Sequence, residues 1–187
     1  MKSFVLVLAV ALSFSPALVA QNNGELGAFF NYTRLANSST NFYGVGGRLG
    51  FNLSQHVQLE AEAAYDFQQN LNNDFFSKQG VTGVVITNAT LHMIHGLFGP
   101  KLQIGTGAFR VFGTVKGGFV NFSTSSSFPT QARLVRDGDT DAVFYPGGGV
   151  EVYAGPVGIR AEIGDEIWFS NGANHNLRVT FGPQFRF

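Results

Sequence analysis

The residues of this chain that could do chemistry together are charged and fall on the polar positions of alternating segments: Arg48, Glu60, Glu62, Lys116, Glu151, Arg160, Glu162, Glu166 and Arg178. Each sits in a segment where polar and apolar residues alternate. Two roles fit such a set. The charges can neutralise one another as a plug of salt bridges in a nearly dry interior, or they can line a polar path for ions or small solutes. A buried ion that lacks its partner costs ~3–5 kcal/mol, so a dry interior demands matched signs. On a solvated face a pair is worth under ~1 kcal/mol, and matched signs would be chance.

Other constellations carry less. His92 and His95 could form half a metal site, but residues three apart on a strand face opposite sides. Gly147 to Gly149 is no phosphate loop, because no Lys-Ser/Thr pair or helix follows. Asp137-Gly-Asp139-Thr-Asp141 resembles a calcium loop only faintly, since the later acidic ligand is missing. With no Cys in the chain, disulfides, thiolate metal sites and a catalytic thiol are excluded. No cofactor or metal is expected.

The elements that must position these charges are strands. Period-two alternation, punctuated by turn clusters, marks eight of them: Glu25 to Thr33, Phe42 to Leu53, Val57 to Phe67, Thr90 to Leu102, Arg110 to Phe122, Val143 to Ala154, Val157 to Phe169 and Asn176 to Phe187. The third is the clearest, with Leu59, Ala61, Ala63 and Tyr65 alternating with Glu60, Glu62 and Asp66. The fourth is the weakest, because Pro100 predicts an irregular end. Connections alternate between short (Ser54 to His56, Gly155 to Pro156, Gln103 to Phe109) and longer (Arg34 to Asn41, Gln68 to Ala89, Ser123 to Asp141, Ser170 to His175). Sorting loops by length onto two ends is the habit of membrane-spanning β-barrels.

Which face is buried follows from bulk. The apolar face carries Phe, Tyr, Leu and Val. The polar face carries Gly44, Gly46, Gly50, Gly118, Gly149, Gly158, Gly164 and Gly182, which suit a narrow lumen. The bulky face then meets lipid, where only a closed sheet satisfies the backbone. Tyr43, Tyr65, Phe122, Phe144, Trp168 and Phe169 are expected at the lipid interface. Turn geometry predicts that Arg48 stands opposite Glu62, Glu151 opposite Arg160, and Glu166 opposite Arg178. It also puts Lys101 against Arg110, so that both must find acids on other strands, or water at the rim. A Gly46→Ser change in the lumen is expected to be milder than Ala61→Arg on the lipid face.

Composition agrees. Charged residues are 13% of the 187, with zero formal net charge, 24 Gly and 20 Phe; a soluble domain has roughly 25% charged. No basic stripe suggests nucleic acid. Residues 1–20 read as a signal peptide, with Lys2, an apolar Phe4 to Phe14 run and a cut before Gln21. Residues 21–187 then form one domain. The chain ends Thr-Phe-Gly-Pro-Gln-Phe-Arg-Phe.

That ending resembles the signal read by the bacterial outer-membrane assembly machinery, carried here by Thr180, Gly182, Phe185 and Phe187. The mature chain resembles the OmpA/OmpX-type family of small outer-membrane barrels. The resemblance rests on YGVGGRLGFNL in the second strand, GPKL at Gly99 to Leu102, PGGGVEVY at Pro146 to Tyr153, GIRAEIGDEIWF at Gly158 to Phe169 and the terminal NLRVTFGPQFRF. It implies an all-β, closed, eight-stranded antiparallel up-and-down transmembrane barrel in a Gram-negative outer membrane, exported through the periplasm. It implies a monomer whose partners are outer-membrane lipid, lipopolysaccharide, periplasmic chaperones and the assembly machinery. Its role is expected to be structural or surface-directed through long loops, without enzymatic activity. No periplasmic domain is expected after Phe187. A narrow pore is the alternative. A lipid-modifying enzyme is a further one: outer-membrane lipid A deacylases carry His, one residue, then Ser-Asn. Here Trp168 stands at the His position of Trp168-Phe169-Ser170-Asn171, and Trp cannot accept a proton; His175 is expected in the loop.

Overall fold

A computed structural model describes residues 23–36, 40–71, 89–105, 107–124, 140–169 and 172–187. The leader, the Asp137–Asp139 segment and the centres of the two longest loops lie outside the described residues. The rest is eight strands: β1 (Gly24–Leu35), β2 (Thr40–Asn52), β3 (Val57–Leu71), β4 (Ala89–Ile104), β5 (Phe109–Thr124), β6 (Thr140–Ala154), β7 (Val157–Phe169) and β8 (Ala173–Arg186). Each pairs antiparallel with its chain neighbours, and β1 pairs with β8, so the sheet closes into a barrel. Closure removes the sheet edge, which neither water nor lipid could satisfy without cost. Backbone bonds between Gly24 and Phe187, 3.0 Å and 2.9 Å long, complete the seam at the short-turn end.

The short turns set the register. Ala154 pairs with Val157 across a two-residue turn, and Gly155 there has φ +66°, a value that disfavours a Cβ. At the β2–β3 turn the Ser54 hydroxyl accepts from the Val57 and His56 amides at 3.1 Å and 3.3 Å. Both turns give the predicted pairings, Arg48 with Glu62 and Glu151 with Arg160. Two other predicted pairings are corrected. Arg178 pairs with Gly164, and Glu166 with Asn176, because β8 begins at Ala173 and the β7–β8 turn is shorter than the sequence suggests. Lys101 pairs with Thr114, so it does not face Arg110.

Pro100 does not end its strand; β4 runs on to Ile104. Proline has no N–H, so it must sit where one ladder can skip a bond. Pro100 pairs with Leu59 on β3 while the β4–β5 ladder skips it. Thr114 Oγ1 instead donates to the Pro100 carbonyl at 3.0 Å. Pro146 and Pro183 follow the same rule, each paired on one side and skipped on the other.

Alternation holds along the described strands, apart from a register shift between Asp66 and Gln69 in the β3–β4 ladder. Leu26, Phe30, Leu49, Phe51, Phe98, Ile159, Ile163 and Phe181 point outward and are exposed, as a lipid-facing wall requires. Tyr43, Tyr65, Phe144 and Phe169 lie on that wall. Phe122 and Trp168 do not. Trp168 is only 6% exposed and packs inside against Phe122, ring centroids 5.2 Å apart. Parity explains it: Trp168 shares its face with Glu166 and Glu162.

Candidate functional site

The lumen is the candidate site, and it is layered. In the middle lie the predicted charges. Arg48, Glu60, Glu62, Lys116, Glu151, Arg160, Glu162, Glu166 and Arg178 are all buried there. Glu25, Asp66, His95 and Lys101 are buried with them, and Arg110 is partly buried. Asp66 is on the polar face expected of β3, and Lys101 and Arg110 find acids on other strands; Glu25 and His95 were not read as lumen residues. Alternation alone could have found Glu25, which shares parity with Gly27 and Asn31 on β1.

Ion pairs cross the lumen far more than they join neighbouring strands. Arg48 donates to Glu162 Oε2 at 3.1 Å and to Thr180 Oγ1 at 2.9 Å. Arg160 bonds both Glu60 and Glu162 and lies 3.4 Å from Glu151. Arg178 reaches Glu62 at 2.5 Å and Glu166 at 3.3 Å. Nearer the short turns, Lys101 joins Glu151 at 2.6 Å and Glu25 at 3.0 Å, and Arg110 joins Glu25 at 3.2 Å. Each of these carboxylates therefore has a cation at hand, which a water-poor interior demands.

Glu60, Glu62 and Glu162 bring carboxylate oxygens within 4.8 Å of one another, close enough for a metal ion. The Lys116 ammonium already fills that position. Its Nζ lies 2.6 Å, 2.8 Å and 3.2 Å from the three carboxylates. An ammonium has three donors, one for each acceptor. A lysine does here what a cation would do.

Aromatic rings fill what remains, and glycines make room for them. Phe29 lies under the Arg48 guanidinium at 4.4 Å, and a Cβ on Gly46 would stand 2.4 Å from its ring. Phe112 lies under Arg160 at 4.1 Å, beside Gly149. Tyr145 takes the space above Gly147 and Gly164, near Lys116 and Arg178. Tyr153 stacks on Arg186 at 4.0 Å, beside Gly158. Cations over ring faces are favourable, more so when desolvated. Sequence reasoning read the glycines as room for a narrow lumen and missed the rings that use it.

Toward the long-loop end the lumen turns apolar. Leu35, Phe42, Met93, Leu97, Val120, Val143, Tyr145 and Trp168 form one buried cluster. This apolar layer caps the charges from above.

The predicted assembly residues divide between faces. Thr180 and Gly182 point inward, and a Cβ on Gly182 would stand 2.0 Å from the Ala28 carbonyl. Phe185 and Phe187 face outward and stack with centroids 6.4 Å apart. His92 and His95 face opposite sides, as expected. His92 lies beside the Tyr65 ring on the outer wall. His175 is not in a loop: it lies on β8, where its Nδ1 is 2.6 Å from Asp165 Oδ2 on the outer wall.

No protein-family profile and no curated protein sequence matches the chain. Solved structures do match in shape. Ail, the attachment invasion locus protein of Yersinia pestis, superposes with a TM-score of 0.55 at 11% identity, covering 88% of this chain and 97% of its own. Neisserial surface protein A gives 0.58 at 10% identity, covering 88% and 96%. The N-terminal barrel of Pseudomonas aeruginosa OprF gives 0.52 at 14% identity, covering 89% and 98%. By fold, this chain is a small closed barrel of the kind these outer-membrane proteins build.

Proposed function

We propose that this protein is a non-enzymatic barrel of the bacterial outer membrane, with a structural or surface-interaction role carried by its long-loop end. The observation that carries this reading is the contrast between the two faces of one closed sheet. The outer wall is apolar and the lumen is filled with matched charges and rings. Such a sheet is at home only in lipid. The short turns, with Gly24 and Phe187 beside them, then face the periplasm, and the long loops face outward. The wall meets lipid and lipopolysaccharide. Thr180, Gly182, Phe185 and Phe187 serve the assembly machinery, with periplasmic chaperones carrying the unfolded chain, and the barrel works as a monomer. Two of the similar structures are described as an attachment invasion protein and a surface protein, which favours a surface role.

A pore is the poorer reading, because the Lys116 and Arg160 networks and the rings of Phe29, Phe112 and Tyr145 occupy the lumen. The test is single-channel recording in a planar bilayer, after a boiled-versus-unboiled gel shift shows folded barrel. A silent bilayer is expected. Reproducible discrete steps would replace the sealed barrel with a conducting one.

A further inference from the structure

We infer that His95 is held as a doubly protonated imidazolium that clamps opposite walls of the barrel, so that closure of the lumen depends on a proton. His95 projects inward from β4, one turn of alternation below Met93. Its Nδ1 lies 2.6 Å from Glu166 Oε1 on β7, and its Nε2 lies 3.0 Å from Asp66 Oδ2 on β3. A neutral imidazole has one donor nitrogen and one acceptor nitrogen, and a carboxylate only accepts. Two ring nitrogens facing two carboxylates therefore need two ring protons, unless one carboxyl is itself protonated.

The remaining partners of the carboxylates decide this. Glu166 Oε1 also accepts from Trp168 Nε1 at 3.0 Å, and its Oε2 lies 3.3 Å from Arg178 Nε. Asp66 Oδ1 accepts from Asn31 Nδ2 at 2.6 Å. Asp66 thus accepts from an amide, and Glu166 accepts from an indole N–H and lies beside the Arg178 cation, all of which stabilise the ionised forms. The proton belongs to the ring of His95.

The clamp closes on itself. Arg178 Nε donates to Asn31 Oδ1 at 2.7 Å. Asp66, His95, Glu166, Arg178 and Asn31 therefore form a circuit of four hydrogen bonds and one ion pair, from β3, β4, β7, β8 and β1. Two anions and two cations alternate around it. The titratable neighbours are Glu62 on β3, 2.5 Å from Arg178, and Tyr145 on β6, whose ring lies 5.4 Å from the Arg178 guanidinium. From β2 Gly44 abuts Asp66, and from β5 Val120 pairs with His95. Removing the His95 proton leaves Asp66 and Glu166 competing for a single N–H. The circuit then opens directly beneath the apolar layer, and this tie between β3 and β7 is lost.

The primary test uses the full chain, refolded in detergent micelles with 15N-labelled histidine. The chain has four histidines. The His95 signals are those lost in His95→Asn. If that variant does not fold, separate His56→Asn, His92→Asn and His175→Asn variants assign them by elimination. At about pH 7.5 a solvated imidazole is mostly neutral. There, both ring nitrogens of His95 should carry protons. A single protonated nitrogen on His95 overturns the inference. A second test follows the temperature at which the folded gel band is lost. It should fall between about pH 7.5 and about pH 10, and fall at most half as far in His95→Asn, or in Asp66→Asn if His95→Asn does not fold. Equal shifts in wild type and variant overturn the proton dependence.

Discussion

Arg48 lies directly opposite Glu62 in the β2–β3 ladder, yet it donates to Glu162 on the far side of the lumen, Nη1 to Oε2, at 3.1 Å. Register brings charges to the same depth; the closed barrel then chooses partners across its width. Glu162 also accepts from Arg160 and Lys116. Replacing it with Gln should leave three cations short of an anion and cost ~3–5 kcal/mol. Urea unfolding in lipid vesicles, followed by the gel shift, measures this. A loss under about 1 kcal/mol would mean that water reaches these groups and the lumen is not dry.

Gly46 and Gly47 make a paired test of the two faces. Gly46→Ser is expected to be milder than Ala61→Arg, but the packing gives it a cost of its own. A Cβ there would stand 2.4 Å from the Phe29 ring and 2.6 Å from the Ala63 carbonyl. At Gly47, facing outward, the nearest atom would be 3.7 Å away. Gly46→Ser should cost ~1–3 kcal/mol through overpacking, and Gly47→Ala should be close to neutral. Equal stability of the two variants would show that Phe29 does not fill the lumen.

Charging the wall probes the lipid directly. Ala61 lies outward between Leu49 and Phe98. Ala61→Arg should cost ~2–4 kcal/mol if that site is near the midplane of a bilayer, and Ala61→Leu should cost little. Refolding yield into vesicles reads the difference. Equal yields would place this wall in water.

Phe187 has two roles that can be separated. Its backbone closes the seam with Gly24, and its side chain belongs to the proposed assembly signal. Phe187→Ala keeps the backbone bonds. It should lower the amount of barrel in the outer membrane severalfold in vivo while leaving refolding in vitro unchanged. Unchanged outer-membrane yield would count against the signal.

The outer wall and the turns were legible in the sequence because a strand repeats every two residues and a closed sheet has one face for lipid. Alternation in β3 and β7 names the inward Glu60, Glu62, Arg160 and Glu162 without any coordinates. Short turns such as Gly155–Pro156 set the registers that follow from them. What alternation cannot supply is distance across the lumen. It gave Trp168 and Phe122 to lipid from their type, although their parity belongs to the interior. It could not see that Phe29 needs Gly46, because the two are partners in the β1–β2 ladder, whose register no short turn sets. Nor could it set Lys116 among Glu60, Glu62 and Glu162, or His95 between Asp66 and Glu166. Except for Asp66 and His95, which sit on paired strands, those partners come from strands that are not neighbours, and closing the barrel is what brings them together.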